Sequence, residues 1–185
     1  MGNKGVFNMY RFELSTSLLQ AFEVENLPQG FKDCDFTSLA FTQFGGAASF
    51  ILLGTSESSM TAYDLKSNEF IDGGEKKWCL SGEPGHLVAA NGTLVAATST
   101  GTVARWNLVL GSMFPTESKQ LQIMRAEGPV TAVAMDDLNN EGLVGTAYGA
   151  IFYINFTEKV KVRIVQKVYS VQRPATSVKF NVANP

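Results

Sequence analysis

A chain of 185 residues is long enough for one domain with a sizeable core, or for part of a larger one. Apolar residues make up 45% and charged residues 17%, with Phe 13 and Gly 17, which excludes wholesale disorder and suits strands joined by turns. The formal net charge of -2 supplies no global field that would draw the chain to nucleic acid or to an anionic membrane.

The first residues, Met1 to Gly5, carry no apolar h-region, and the longest apolar runs, such as 47–54, are far too short to span a bilayer. A soluble, cytoplasmic protein is therefore expected. From Gly5 to Phe12 the pattern predicts a strand, followed by a second over Leu18 to Val24. Phe36 to Phe41 is the next predicted strand, and 51–54 the one after it. Beyond that point the sequence repeats itself. Thr55–Leu65, Thr98–Leu108 and Thr146–Phe156 align without gaps. Each opens on a small residue and Thr, turns through Ser58, Gly101 or Gly149, and restarts on Met60, Val103 or Ile151. Each closes on Asp or Asn followed by an apolar residue. The segment from Gly5 to Phe12 fits the same register with its front half missing.

Successive copies end at Phe12, Leu65, Leu108 and Phe156, separated by 53, 43 and 48 residues. Periods of about 40–45 residues holding four strands are those of a β-propeller blade. The inner strand of each blade is predicted at Phe36–Phe41, His86–Ala90, Val130–Met135 and Thr176–Phe180. The outer strands fall at Leu18–Val24, Lys76–Leu80, Leu121–Met124 and Lys161–Val165. Pro129, Thr131 and Val133 each recur 45 residues later as Pro174, Thr176 and Val178, which marks the start of a further blade over 174–185. No stretch carries a sustained helical stripe. A β-sandwich of unrelated strands would not produce copies held in register. The expected fold class is all-β, a propeller of about four blades in residues 1–185, forming a partial ring.

The repeat resembles the WD40 family. Gly85-His86 is similar to that family's Gly-His pair, and Tyr63-Asp64, Trp106-Asn107 and Ile154-Asn155 stand where its Trp-Asp ending belongs. The resemblance implies that His86, Thr98 and Trp106 match three members of the family's hydrogen-bonded His–Asp–Ser/Thr–Trp network. The Asp position holds Thr100, so this blade is expected to lean on packing instead. Rings of this family close with about six to eight blades, so the resemblance accounts for about half of one. The remaining blades would come from the same polypeptide or from another chain, unless the chain forms a compact ring of four with one strand missing.

Chemistry is sparse. The single histidine, His86, supports no metal cluster, and its expected role is structural. Asp136, Asp137, Asn139, Asn140 and Glu141 form the densest acidic cluster, but their spacing does not fit a calcium loop; they read as a polar hairpin turn. The glycine pairs 45–46 and 73–74 lack the context of a phosphate loop. Cys34 and Cys79 have no metal-ligand spacing and read as two packed thiols of a reducing compartment. Neither cofactor nor catalysis is expected. Lys159, Lys161, Arg163 and Lys167 lie in a basic stretch on a predicted outer strand, with Arg173 and Lys179 beyond. They would either dock an acidic protein surface or serve as a solvated edge whose lysines discourage strand pairing. Few aromatics alternate with them, which disfavours nucleic acid.

The segment 135–159 resembles a blade of the large WD-repeat proteins of centrioles and cilia. It shares an acidic turn, then Glu141-Gly142-Leu143-Val144-Gly145-Thr146, then Gly149, Ile151 and Tyr153-Ile154-Asn155. That resemblance implies a protein-binding scaffold associated with microtubules, with tubulin or another ciliary protein as partner and the basic strand as the contact. A general WD-repeat adaptor in ubiquitin ligation, trafficking or chromatin is the alternative expectation. An enzyme with a site completed by further blades is a third.

Overall fold

The computed structural model describes residues 8–24, 27–44, 48–71, 78–108, 118–123, 125–157, 161–167 and 174–179, the strand 161–167 by its backbone. A two-stranded hairpin comes first, β1 (Asn8–Glu13) and β2 (Leu18–Glu23). Three larger antiparallel sheets follow. The first is β3 (Phe36–Phe44), β4 (Ala48–Thr55), β5 (Ser59–Asp64) and β6 (Glu69–Phe70), with β7 (Trp78–Cys79) also paired to β5. The second runs β8 (Pro84–Ala90), β9 (Thr93–Thr98), β10 (Thr102–Asn107) and β11 (Lys119–Gln122). The third runs β12 (Val130–Met135), β13 (Glu141–Thr146), β14 (Ala150–Asn155) and β15 (Lys161–Lys167). Helix is confined, among the described residues, to short 3-10 turns at Gln29–Phe31 and Arg125–Glu127. No helix among them is long and apolar enough to cross a membrane.

Each sheet is therefore a blade whose strands follow chain order. Of the expected outer strand at 76–80, residues 76–77 lie outside the described residues and Trp78–Cys79 pair with β5, while β6 takes the other half of that edge. Cys34 is buried and its thiol reaches the Phe31 carbonyl at 3.5 Å, whereas Cys79 is exposed, so only one of the two thiols is packed. Both are free.

The aligned Thr and turn residues have a local cause. Thr55, Thr98 and Thr146 end the second strand of their blades and are fully buried. Thr98 and Thr146 accept from the amides of Thr102 and Ala150 at 3.1 and 3.2 Å, and Thr55 donates to the Ser59 carbonyl at 3.2 Å. Each hydroxyl thus braces the three-residue turn that follows it. The last turn residue, Ser58, Gly101 or Gly149, has φ of 59°, 88° or 82°, the left-handed conformation such turns require.

The hydrophobic cores lie between blades rather than inside them. On β9, Leu94 and Ala96 pack with Leu52, Met60 and Ala62 of the preceding blade. The alternate residues Val95 and Ala97 pack with Val144, Phe152 and Ile154 of the following one. A strand whose side chains alternate in direction serves two cores when both of its faces are covered, and so reads as a continuous apolar run. Burial of each such Leu, Val or Phe contributes about 1.5–3 kcal/mol. A third core, containing Phe31, Phe36, Leu53, Tyr63 and Phe70, joins the first blade to the hairpin through Met9.

The closest inter-blade approach recurs in register. Each first strand has a bulge at the same place, between Phe36 and Ser38, Pro84 and His86, and Val130 and Ala132. The residue after the bulge pairs with Gly54, Ala97 or Gly145. A Cβ added at Gly54 would meet Pro84 Cγ at 2.8 Å and the Pro84 carbonyl oxygen at 2.9 Å; one at Gly145 would meet Ala175 Cβ at 2.6 Å. The next blade's first residue fills that space. Thr37 and Ser38 both donate to the Pro84 carbonyl, Thr37 at 2.9 Å, and Thr131 donates to the Ala175 carbonyl at 2.9 Å. Residues 174–179 form no strand, yet Ala175 also donates to the Thr146 carbonyl at 3.0 Å and so occupies the place where a next inner strand begins.

A branched side chain at Gly54 should force the two blades apart. We expect Gly54→Val to lower stability by about 1–3 kcal/mol in urea unfolding monitored by circular dichroism, with Gly54→Ser intermediate.

Candidate protein-interaction surface

The three residues assigned to a hydrogen-bonded network sit in one blade but serve different contacts. His86 lies on β8, half-buried, and its imidazole hydrogen-bonds the backbone of Val130 in the next blade. It thus does for its blade what Ser38 does for the one before. Burial lowers its pKa from 6.5, and the Val130 bond opposes part of that shift. Thr98 braces the turn, with Thr100 Oγ1 at 3.0 Å. Trp106 pairs with Leu94, four residues along β10 from Thr102, and is buried in the core facing the preceding blade.

The most elaborate polar contact was not singled out by sequence reasoning. Arg105, on β10, reaches across to the β12–β13 turn. Its Nε donates to the Asn139 carbonyl at 2.6 Å, and its terminal nitrogens reach Asn107 Oδ1 at 2.8 Å, Asn140 Oδ1 at 3.2 Å and the Leu138 carbonyl at 3.3 Å. Burial lowers the guanidinium pKa while Asp136 nearby raises it. The turn answers in kind. Asn139 is fully buried at φ 53°, and its Nδ2 donates to Thr93 Oγ1 at 3.0 Å. Asn91 Nδ2 donates to the Asp137 carbonyl at 2.7 Å. Asp136 Oδ1 accepts from the amides of Asn140 and Glu141 at 2.6 and 3.0 Å, which fixes the turn itself. The acidic cluster is the expected hairpin turn, and it is also a plug between two blades. Lys119 adds a second crossing, donating to the carbonyls of Phe156 and Thr157 at 2.7 and 2.8 Å.

No protein-family model and no curated protein sequence matches the chain. Solved structures do. A chain of the mitotic checkpoint complex superposes with TM-score 0.63 at 11% identity, over 91% of this chain and 46% of that one. The β-propeller domain of Cps50 (Swd1) from Myceliophteria thermophila gives 0.64 at 11% identity, over 88% and 54%. Raptor from Chaetomium thermophilum gives 0.59 at 13% identity, over 80% and 14%. The fold is a WD40-like β-propeller. The chain spans about half the length of the first and second of these structures.

Several large apolar side chains are left to solvent on strands and tight turns, among otherwise polar surface residues. Tyr10, Phe12 and Leu19 of the hairpin are 61%, 56% and 65% exposed, and Leu39 and Phe41 of β3 are 66% and 52% exposed. Leu138 and Tyr148 stand exposed on the two turns flanking β13. Among the described residues, no three His, Cys, Asp or Glu side chains gather where they could share a metal ion. In the basic stretch, Lys159 lies outside the described residues, as do the side chains of Lys161, Arg163 and Lys167. The backbone register of β15 sets Lys161 opposite Asn155 and Arg163 opposite Tyr153; a bulge then sets Lys167 opposite Ala150. On the neighbouring strands, Tyr153 Oη bonds Glu141 Oε2 and accepts from Asn155 Nδ2 at 2.9 Å.

Two outcomes check this geometry. Arg105→Ala should cost about 1–3 kcal/mol in urea unfolding by stranding the Asn139 carbonyl. Arg105→Lys should recover little, because an ammonium cannot reproduce the guanidinium fork. His86 is the chain's single histidine. Because burial lowers its folded pKa, the unfolded chain takes up the proton first on acidification. Its contribution to stability is therefore present above about pH 6.5 and lost as pH falls through the lowered value. The melting temperature should drop between about pH 7.5 and 5.5, and His86→Gln should flatten that slope.

Proposed function

We propose that the chain is a non-catalytic WD-repeat scaffold that mediates protein–protein interactions in the cytoplasm. The observation that carries this reading is the division of labour among side chains. The polar groups best placed for chemistry, His86, Arg105, Asn139 and Asp136, are engaged in joining blades or fixing a turn. Exposed aromatic and aliphatic side chains, among them Tyr10, Phe12, Leu39 and Phe41, are held on strands, as befits a recognition surface that orders little on binding.

Within that class we propose association with microtubules in cilia or centrioles. Two features support it: the resemblance of 135–159 to a blade of ciliary and centriolar WD-repeat proteins, and the basic residues of β15 on the edge of its sheet. Lysines and arginines on an edge strand are solvated, so their attraction to an acidic surface acts at long range and weakens with salt. Microtubule co-sedimentation tests the reading. The wild-type chain should pellet with microtubules, less so as salt is raised, and Lys161→Glu with Arg163→Glu should reduce the bound fraction several-fold. A wild-type chain left in the supernatant would remove tubulin as the partner and leave the general adaptor reading; a charge-reversed variant that binds equally would remove β15 as the contact.

A further inference from the structure

The turn between β8 and β9 consists of Asn91 and Gly92, with Ala90 paired to Thr93 across it. Both turn residues are left-handed, at φ 46° and 73°, as a two-residue hairpin turn requires. Asparagine followed by glycine meets that demand at little conformational cost, and Asn91 is the chain's single asparagine in that context. The same pair is chemically labile. Glycine has no side chain to shield its nitrogen, so that nitrogen can reach the amide carbon of the asparagine before it. Asn91 is also exposed, so water and base have access to it.

What opposes that reaction is the joint with the next blade. Asn91 Nδ2 donates to the Asp137 carbonyl at 2.7 Å, and the Gly92 carbonyl accepts from the Leu108 amide at 2.7 Å. Ring closure needs the Asn91 Cγ to swing onto the Gly92 nitrogen, away from Asp137. The turn that holds the amide is itself held from the second blade. Arg105 donates to the carbonyls of Leu138 and Asn139, and Asn139 Nδ2 donates to Thr93 Oγ1. The amide is therefore restrained while the joint is closed and released when it opens locally.

We propose that Asn91 is a modification site: its deamidation follows opening of the joint between the second and third blades and keeps that joint from closing as before. Once the joint opens, the Gly92 nitrogen attacks the Asn91 Cγ. The N–Cγ bond forms, the Cγ–Nδ2 bond breaks, and the Gly92 proton leaves with Nδ2 as ammonia. Water then opens the cyclic imide. Cleavage at Cγ gives aspartate; cleavage at the backbone carbonyl gives isoaspartate, with the chain running through the former side chain. The net reaction consumes water and releases ammonia, with no change of oxidation state. Neither product has the amide donor. Aspartate sets a carboxylate against the Asp137 carbonyl, on a turn that already carries the Asp136 and Asp137 side chains. Isoaspartate lengthens a turn whose two-residue length fixes the Ala90–Thr93 register. An attractive contact becomes a repulsive or misfitting one, and the change is one-way.

Peptide mapping by mass spectrometry, during incubation of the full chain in mildly alkaline buffer, tests the proposal. The folded wild type should lose its Asn91 amide many-fold more slowly than the same chain unfolded in urea. Arg105→Ala should raise the folded rate several-fold. Gly54→Val, which loosens the joint between the first and second blades, should leave it near wild type. If Arg105→Ala fails to fold, Arg105→Lys replaces it. In urea unfolding, Asn91→Asp should lower the midpoint further than Asn91→Gly, which keeps the left-handed turn and removes the amide without adding charge. Four results would overturn the proposal: equal rates in the folded and unfolded chain, an Arg105 variant at the wild-type rate, a Gly54→Val rate matching that of the Arg105 variant, or an Asn91→Asp midpoint equal to wild type.

Discussion

The close approach between the second strand of one blade and the first residue of the next sets the geometry of the whole array. Gly54, Ala97 and Gly145 stand at that point, where a larger side chain would collide with Pro84 or Ala175 in two of the three cases. The bulge beside it turns Thr37, Ser38, His86 and Thr131 toward the same neighbour. Bulges redirect side chains and sharpen twist locally, and here the redirection is what lets each blade grip the next. If the small residue were lost, the grip and the apolar contacts behind it would be lost together.

Because the cores lie between blades, stability is a sum over neighbours. A blade in the middle of the array has both faces covered, and a terminal one has a face left open. The gradient is visible in the burial: Leu94, Val95, Ala96 and Ala97 on β9 are all fully buried, whereas Leu143 and Ile151 near the end are half-open. The same logic explains why apolar surface remains on a protein with so few charges. It is inter-blade surface on the first and last of the described sheets.

Polar side chains do a second kind of joining. Arg105 and Asn139 interlock across the boundary between the second and third blades, each bonding to backbone or hydroxyl groups of the other's blade. A half-buried arginine tolerates that position because the turn carbonyls and amide oxygens satisfy its fork of donors. His86 is the counterpart at the inner strand, where burial lowers its pKa and so favours the uncharged imidazole. Residues committed in this way hold the joint between blades.

The spacing of Thr55, Thr98 and Thr146 was legible in the amino-acid order because a turn that needs a left-handed residue and a bracing hydroxyl is a local requirement. Local requirements recur wherever the chain repeats, so the turns, the second and third strands and the identity of the fold followed from them. The doubling of the first blade's outer edge into β6 and β7 was not legible, since edge pairing depends on what lies beside it rather than on its own pattern. Nor was the role of Arg105: a lone charge in an apolar strand signals a buried partner, but that partner lies 34 residues away and meets it only once two blades stack. The cysteines read alike until packing buried one and exposed the other. Contacts between blades join distant residues through space, and the order of the amino acids constrains them only by demanding that something small, apolar or hydrogen-bonding be there.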